Sequence, residues 1–282
     1  MSADEFEREK RVVPPLCRRD FLLTTAATAM AMTGSCGRGT PHSAPAGGDA
    51  PSSPARLSAR PSTRSTPPTP TAPGLRTLRT GPGERTALLN VPPGLADSEP
   101  ATLVLALHGA GGDARAGLTP LLPFVDANRL LLLATSAHGA TWDAVQGRWG
   151  PDVRQVDLAL MEVLAGFRID LTRLVVSGFS DGASYALSLG LANADLFTHV
   201  IAFSPGFIPA GPRVGKPAVY VSHGRHDDVL PIDSTTRRIV PRLRASGYPV
   251  GSTSTTDRTR YQGSSRRTLC GGYWTPLDAA AH

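Results

Sequence analysis

The stretch Val175–Leu187, VVSGFSDGASYAL, decides how the rest of the chain is interpreted. An apolar run leads into Gly178, Ser180 follows, and Gly182 opens a segment typical of a helix. A serine on such a strand-to-helix turn is held with its Oγ exposed above the carboxyl end of the strand. We therefore predict that Ser180 is a nucleophile and that the Asp181 N–H, at the helix N-terminus, stabilises an oxyanion.

The segments around this turn alternate between strand and helix patterns. Strand patterns cover 85–91, 101–109, 129–137, 173–179, 199–205 and 216–224. Helix patterns cover 152–167, 181–193 and 233–247, with Asp233 expected as the N-cap of the last, Gly247 at its end and a kink at Pro241. This alternation predicts an α/β domain with a mostly parallel sheet and helices on both of its faces.

Two further segments carry candidate site residues. LVLALHGAGGDA, 103–114, ends an apolar run in a glycine-rich loop, whose Ala110 or Gly111 N–H would face the same oxyanion. We interpret His108 as a turn residue held by hydrogen bonds. AVYVSHGRHDDVLPI, 218–232, ends a strand before Asp227 and Asp228, either of which can orient a catalytic imidazole.

In this order, the motifs LHGAGG, GFSDG and SHGRHDDVLP resemble those of the α/β-hydrolase superfamily. Within it, the chain resembles the bacterial carboxylesterase/phospholipase-type and polyhydroxybutyrate-depolymerase-like esterases, over about 85–250. The resemblance implies that Ser180 forms an acyl-enzyme with a small or oligomeric carboxylic ester and that Asp227 is the acid, with Asp228 its neighbour. It implies a monomer with no metal or organic cofactor.

The histidine that would activate Ser180 is not evident. We interpret His138, His199, His223 and His226 as structural. An α/β-hydrolase places its histidine after the acid, but 251–282 is rich in Ser, Thr and Arg and lacks a strand period. We therefore expect the domain to cover 81–250, with its last strand and helix lost or replaced by an aberrant, disordered tail. His282, at the end of that tail, is a poorly preorganised base, so the base stays unassigned.

The genetic code suggests a cause for this departure. In a shifted reading frame, the codons of Thr256–Gln262 can encode Gly-Pro-His-Thr-Val-Pro, which resembles the family's histidine loop. The histidine would then fall near position 258, about 31 residues after Asp227. We expect a frame shift shortly after Val250, in the gene or in its sequencing. The alternative to an esterase is a non-catalytic, surface-tethered binding protein or an inactive frame-shifted product.

The first 80 residues have the pattern of an exported protein. Residues 1–36 hold the pair Arg18-Arg19 before a short apolar run and resemble a twin-arginine signal, while TGSC resembles a lipobox that would lipidate Cys36. Residues 37–80 are rich in Pro, Ser, Thr, Gly and Ala and are predicted to be a disordered linker. We expect a cell-surface lipoprotein or a secreted protein, attached to the membrane only through Cys36.

Charge and cysteine content exclude other classes of protein. The net charge is +6, but residues 81–250 hold 14 Lys and Arg against 15 Asp and Glu. The basic excess lies in the flanks, which argues against nucleic-acid binding by the body of the chain. The three cysteines form neither a CxxC pair nor an even framework, so no disulfide scaffold and no metal site is expected.

Overall fold

The computed structural model describes residues 53–61, 72–80, 85–95 and 100–256. Within these residues eight strands form one sheet. They are β1 Gly74–Leu78, β2 Ala87–Val91, β3 Ala101–Leu107, β4 Leu130–Thr135, β5 Ile169–Phe179, β6 His199–Phe203, β7 Ala218–Gly224 and β8 Val250–Thr255. Their order across the sheet is β1-β2-β4-β3-β5-β6-β7-β8. β1 pairs with β2 and β2 with β4 in antiparallel fashion.

From β4 across the sheet to β8, in the order β4-β3-β5-β6-β7-β8, every neighbouring pair of strands is parallel. Parallel neighbours require crossover connections, and helices supply them here except between β6 and β7, where 204–217 form a loop. The helices are α1 Ala114–Leu118, α2 Val125–Asn128, α3 Pro151–Gly166, α4 Asp181–Ala192 and α5 Thr236–Ala245, with a short 3-10 helix at Leu122–Phe124. The prediction of a mostly parallel, helix-covered sheet is confirmed.

The central strands are buried on both faces because helices cover both sides of the sheet. In β3, Leu103 and Leu105 belong to the core beneath α3, α4 and α5. Val104 and Ala106, which alternate with them, belong to a second core beneath α1 and α2. A strand buried on both faces has a continuous apolar sequence, as β3 does.

Helix α5 starts later than the sequence pattern indicated. Its N-cap residue is Thr235, so the prediction that Asp233 caps it is wrong. Asp233 instead pairs with the guanidinium of Arg237, one turn further on. Pro241 lies inside the helix as predicted, and Gly247, with φ of +76°, follows its end.

The prediction that the ordered domain ends at 250 is also wrong. Val250–Thr255 forms β8, which pairs with β7 from Val219 opposite Val250 to Gly224 opposite Thr255. The Tyr220 hydroxyl bonds Thr253 Oγ1 at 2.7 Å across this pair. Most side chains of β8 are exposed or only partly buried, so the strand needs no apolar alternation. Its backbone hydrogen bonds to β7 hold it in place, and threonine favours an extended chain. Residues 257–282 lie outside the described residues.

Parts of the predicted linker belong to the folded domain. Residues 53–61, here called the strap, bury Leu57 and Ala59, and 74–78 form β1. The Leu57 N–H donates to Asn193 Oδ1 at 2.9 Å, and Arg56 donates to both carboxylate oxygens of Asp195. One leucine, two alanines and a few polar contacts fix the strap, which is too weak a pattern for composition to reveal.

The export signal 1–36, with Cys36, lies outside the described residues, as do 37–52 and 62–71 of the linker. Among the helices of the described ranges, none is both long and apolar enough to cross a membrane.

Candidate active site

Ser180 lies on a strained turn between β5 and α4. Its backbone has φ of 54° and ψ of −118°, a conformation that residues with side chains rarely adopt. Such a conformation costs about 1–3 kcal/mol and persists only where the surroundings enforce it. Here the Ser180 N–H donates to Phe203 O at 2.9 Å, and the Ser180 carbonyl accepts from the N–H groups of Ala183 and Ser184 at 3.0 Å. The last residue of β6 therefore holds the turn on one side, and the first turn of α4 holds it on the other.

The glycine-rich loop after β3 packs directly against this turn. A methyl carbon built on Gly182 would lie 2.4 Å from the carbonyl oxygens of Leu107 and His108. One built on Gly109 would lie 3.4 Å from Cβ of Ser180. Only glycine permits the first of these approaches, and it brings the start of α4 and the end of β3 together.

Of the two oxyanion donors that the sequence proposed in this loop, one is already occupied. The Gly111 N–H donates to Ala140 O at 2.7 Å and is therefore occupied. Within the described part of the chain, no acceptor takes the N–H of Ala110 or that of Asp181 at the start of α4. Of the two loop candidates, Ala110 is thus the one left available to an oxyanion.

His108 is held in place and neutral. Its Nδ1 lies 2.7 Å from Gly109 O, and its Nε2 accepts from the Ala137 N–H at 2.9 Å. The proton therefore sits on Nδ1. Burial of the ring lowers the pKa of His108, which further favours the uncharged form. With both nitrogens engaged, His108 has the structural role that the sequence predicted.

Asp227 follows β7 and is almost fully buried, whereas Asp228 is exposed. Asp227 Oδ1 accepts from the N–H groups of Val229 at 3.0 Å and Leu230 at 2.8 Å. Asp227 Oδ2 lies 3.3 Å from Nε2 of His223. These contacts fix the carboxylate of Asp227, so Asp227 fits an orienting role better than its neighbour does.

His223 anchors the loop that carries Asp227, a role that the sequence did not reveal. Its side chain is fully buried, with Nδ1 2.7 Å from Thr236 Oγ1 and Nε2 2.7 Å from Leu230 O. The ring thus ties the end of β7 to both the loop and the start of α5. In the sequence, the only indication of this role is that His223 stands four residues before Asp227.

Ser180 and Asp227 lie at the same edge of the sheet. Each follows the carboxyl end of a parallel strand, and β6 separates their strands β5 and β7. At a spacing of about 4.8 Å per strand, the two strand ends are about 10 Å apart. An open cavity of about 590 Å³ lies at this edge, lined among the described residues by His226, Asp227, Asp228 and Thr256.

Among the described residues, no histidine hydrogen-bonds the Ser180 hydroxyl. His108 and His223 are held as above, and His138 Nδ1 bonds Asp152 Oδ1 at 2.8 Å. His199 begins β6 and therefore lies at the opposite edge of the sheet, and His226 is exposed beside Asp227 in sequence. His282 lies outside the described residues.

The segment before α3 supports the turn rather than lining a pocket. Trp142 is fully buried, stacks on Tyr185 at 4.9 Å and donates to His108 O. The neighbouring Thr141 was missed by the sequence analysis. Its hydroxyl donates to Asp181 Oδ2 at 2.6 Å and holds the first side chain of α4.

Solved structures share this architecture. The chain superposes on native pOPH with a TM-score of 0.56 and 16% identity, covering 76% of this chain and 88% of that one. It superposes on fluorophosphonate-binding serine hydrolase F of Staphylococcus aureus, substrate bound, with a TM-score of 0.52 and 13% identity, covering 67% and 93%. For a thermostable esterase the values are 0.51 and 21%, covering 64% and 53%. The chain has an α/β-hydrolase fold.

Comparison of the amino-acid sequence with known proteins finds similarity to an esterase. The chain is 27% identical over 157 residues to feruloyl esterase C of Emericella nidulans, covering 53% of this chain and 57% of that protein. It thus spans little more than half the length of this relative and of the thermostable esterase. No family model matches the chain.

Proposed function

We propose that the chain is a serine esterase that hydrolyses carboxylic esters through an acyl-enzyme at Ser180. The observation that carries this proposal is the strained backbone of Ser180, with φ of 54°, between β5 and α4. Strain of this kind costs stability and is found mostly at functional sites. The similarity to feruloyl esterase C supports the same reaction class.

In the proposed reaction, Ser180 Oγ attacks the ester carbonyl while a base takes the hydroxyl proton. The N–H groups of Ala110 and Asp181 stabilise the tetrahedral oxyanion, and as it collapses the base passes the proton to the departing alcohol. Water then attacks the acyl-enzyme while the base takes one of its protons, and the second collapse releases the carboxylic acid as the base gives that proton to Ser180 Oγ. Asp227 orients the base and stabilises its protonated form. No metal or organic cofactor takes part in this scheme.

For the substrate, we propose a carboxylic ester with an exposed carbonyl, and the feruloyl esterase similarity makes aromatic acyl esters the first to test. Methyl ferulate, p-nitrophenyl acetate and a polyhydroxybutyrate oligomer separate the aromatic, short-chain and polyester classes. Turnover of one by wild type and its loss in Ser180→Ala would assign both the substrate class and the nucleophile.

A fluorophosphonate probe tests the nucleophile directly, because it labels only an activated serine. Wild type is expected to be labelled, Ser180→Ala is not, and the exposed-serine control Ser234→Ala is labelled as wild type is. Labelling of Ser180→Ala at the wild-type rate would place the nucleophile elsewhere.

The second candidate is a binding protein or inactive product of a frame shift. It is favoured by the hydrogen bonds of the described histidines, none of which includes Ser180. The nucleotide sequence of codons 248–262 decides whether a shifted frame exists. An unshifted gene whose product labels with the probe would exclude this candidate.

We also propose export of the protein and lipidation of Cys36. The support is the order of an arginine pair, an apolar run and a cysteine in 1–36. Expressed in a bacterial host that lipidates exported proteins, wild type should take up labelled palmitate and sediment with membranes, and Cys36→Ser should do neither. If wild type is found unlabelled in the medium, lipidation of Cys36 is excluded and the protein is secreted after cleavage of its signal.

A further inference from the structure

We propose that Thr141 is a positioning residue of the reaction, because its hydroxyl holds the Asp181 carboxylate away from the N–H groups that would bind the oxyanion. The contact that carries this inference is the hydrogen bond from Thr141 Oγ1 to Asp181 Oδ2, at 2.6 Å. In this role Thr141 acts through Asp181 and not on the substrate itself. The inference rests on the proposed function, since it concerns the oxyanion donors of that reaction.

Two consecutive residues of one segment contact both sides of the proposed oxyanion site. Ala140 O accepts the Gly111 N–H at 2.7 Å and so holds the loop that carries Ala110. Thr141 bonds the side chain of Asp181, whose N–H is the second proposed donor. The two donors are far apart in the sequence, so the segment that bonds to both of their neighbourhoods fixes one relative to the other.

The segment is itself held by a buried carboxylate at the start of α3. The side chain of Asp152 is only 1% exposed. Its Oδ1 accepts from the His138 N–H and its Oδ2 from the Asp143 N–H, both at 2.8 Å. Because Asp152 binds the segment on both sides of Thr141, the Thr141 hydroxyl is a donor in a fixed position.

The Asp181 carboxylate would interfere with the oxyanion if it were not held. Asp181 is the first residue of α4 and is only partly buried. Aspartate side chains readily accept from nearby backbone N–H groups, and a helix N-terminus attracts their negative charge. The N–H groups of Ala110 and Asp181 have no acceptor among the described residues. A released carboxylate would be drawn toward these donors, and its charge would oppose the charge developing on the oxyanion.

The hydrogen bond from Thr141 also contributes to stability, because a bond to a charged group is stronger than one between neutral groups. A lower melting temperature therefore does not separate positioning from a structural role. The rate at which a saturating fluorophosphonate labels the full-length chain does, since it reports the reactivity of the folded protein. A residue that acts through the Asp181 carboxylate also has no effect on this rate once that carboxylate is removed.

The first measurement compares single variants at saturating fluorophosphonate. Thr141→Val removes the hydroxyl and keeps the shape, and we expect the limiting rate to fall about 10-fold at an unchanged half-saturating concentration. Outright loss of an oxyanion donor costs about 100-fold or more, and displacement costs less. Thr141→Ser should label as wild type does. Thr198→Val, which removes a hydroxyl that bonds Leu174 O at the opposite edge of the sheet, should also keep the wild-type rate.

The second measurement repeats Thr141→Val in an Asp181→Ala background, where it should leave the limiting rate unchanged. If Thr141→Val does not melt cooperatively, Thr141→Ala replaces it in both backgrounds with the same expected results. A wild-type rate for the single variant, or an equal fall in both backgrounds, overturns the inference and leaves the esterase proposal intact. If wild type is labelled under no condition, the proposed function fails and this inference fails with it.

Discussion

Gly178 and Gly182 face each other across the turn that carries Ser180. A methyl carbon built on Gly178 would lie 2.2 Å from the carbonyl oxygen of Gly182, a distance that no packed atoms tolerate. We predict that Gly178→Ala forces the backbone of the turn apart and lowers the free energy of unfolding by about 3 kcal/mol. Any reactivity of Ser180 toward a fluorophosphonate should be lost with it.

Gly166→Ala is the matched control for this change. Gly166 ends α3 with ordinary helical surroundings, and a methyl carbon there meets nothing within 4 Å. Alanine favours a helix by up to about 1 kcal/mol over glycine, so stability should be kept or raised. Chemical denaturation measures the unfolding midpoints of both variants. Equal midpoints for Gly178→Ala and Gly166→Ala would contradict the close contact between Gly178 and Gly182.

The strap should contribute measurably to stability. Leu57 is 3% exposed in the core under α3 and α4, and truncating a buried leucine costs about 2 kcal/mol or more. Leu57→Ala should lower the denaturation midpoint, whereas Ser58→Ala, at the exposed neighbouring position, should not. If both leave the midpoint unchanged, the strap is not docked in solution.

The strap should also make stability depend on acid. The hydrogen bond from Arg56 lowers the pKa of Asp195 from its usual 3.8 to about 2. A lowered pKa stabilises the fold above the unfolded-state value, and this contribution disappears as pH falls through the folded-state value. Arg56→Ala should therefore melt below wild type at pH 5, and the difference should shrink between pH 4 and pH 2. If the difference in melting temperature between wild type and Arg56→Ala grows as the pH falls, the pKa of Asp195 is not lowered by Arg56.

Strand β8 should be required for the fold despite its polar sequence. Without 250–255, the edge of β7 would expose its ladder groups and the Tyr220 hydroxyl would lose Thr253. We predict that a chain ending at Thr256 melts cooperatively, and that one ending at Pro249 does not or aggregates. Calorimetry and light scattering of the two truncations measure this. A cooperative melt of the shorter chain would show that β8 is dispensable.

The sequence alone determined the centre of the fold. The run from Val175 to Ala192 combines an apolar strand, a glycine-flanked serine and a helix, and each part has a strong local signal. Strands β3, β4, β6 and β7 were equally legible, since burial on both faces demands continuous apolar residues. The sequence alone therefore indicates Ser180, Asp227 and the loop of Ala110 as candidate site residues.

Only the tertiary structure showed that the strap and β8 belong to the folded domain. The strap and β8 have weak local patterns, because their order comes from partners distant in sequence: Asn193 and Asp195 for the strap, and β7 for β8. The choice of Ala110 over Gly111 likewise depended on Ala140, which takes the Gly111 N–H. Composition and periodicity report what a segment prefers by itself, whereas hydrogen bonds across the fold fix segments that have no such preference.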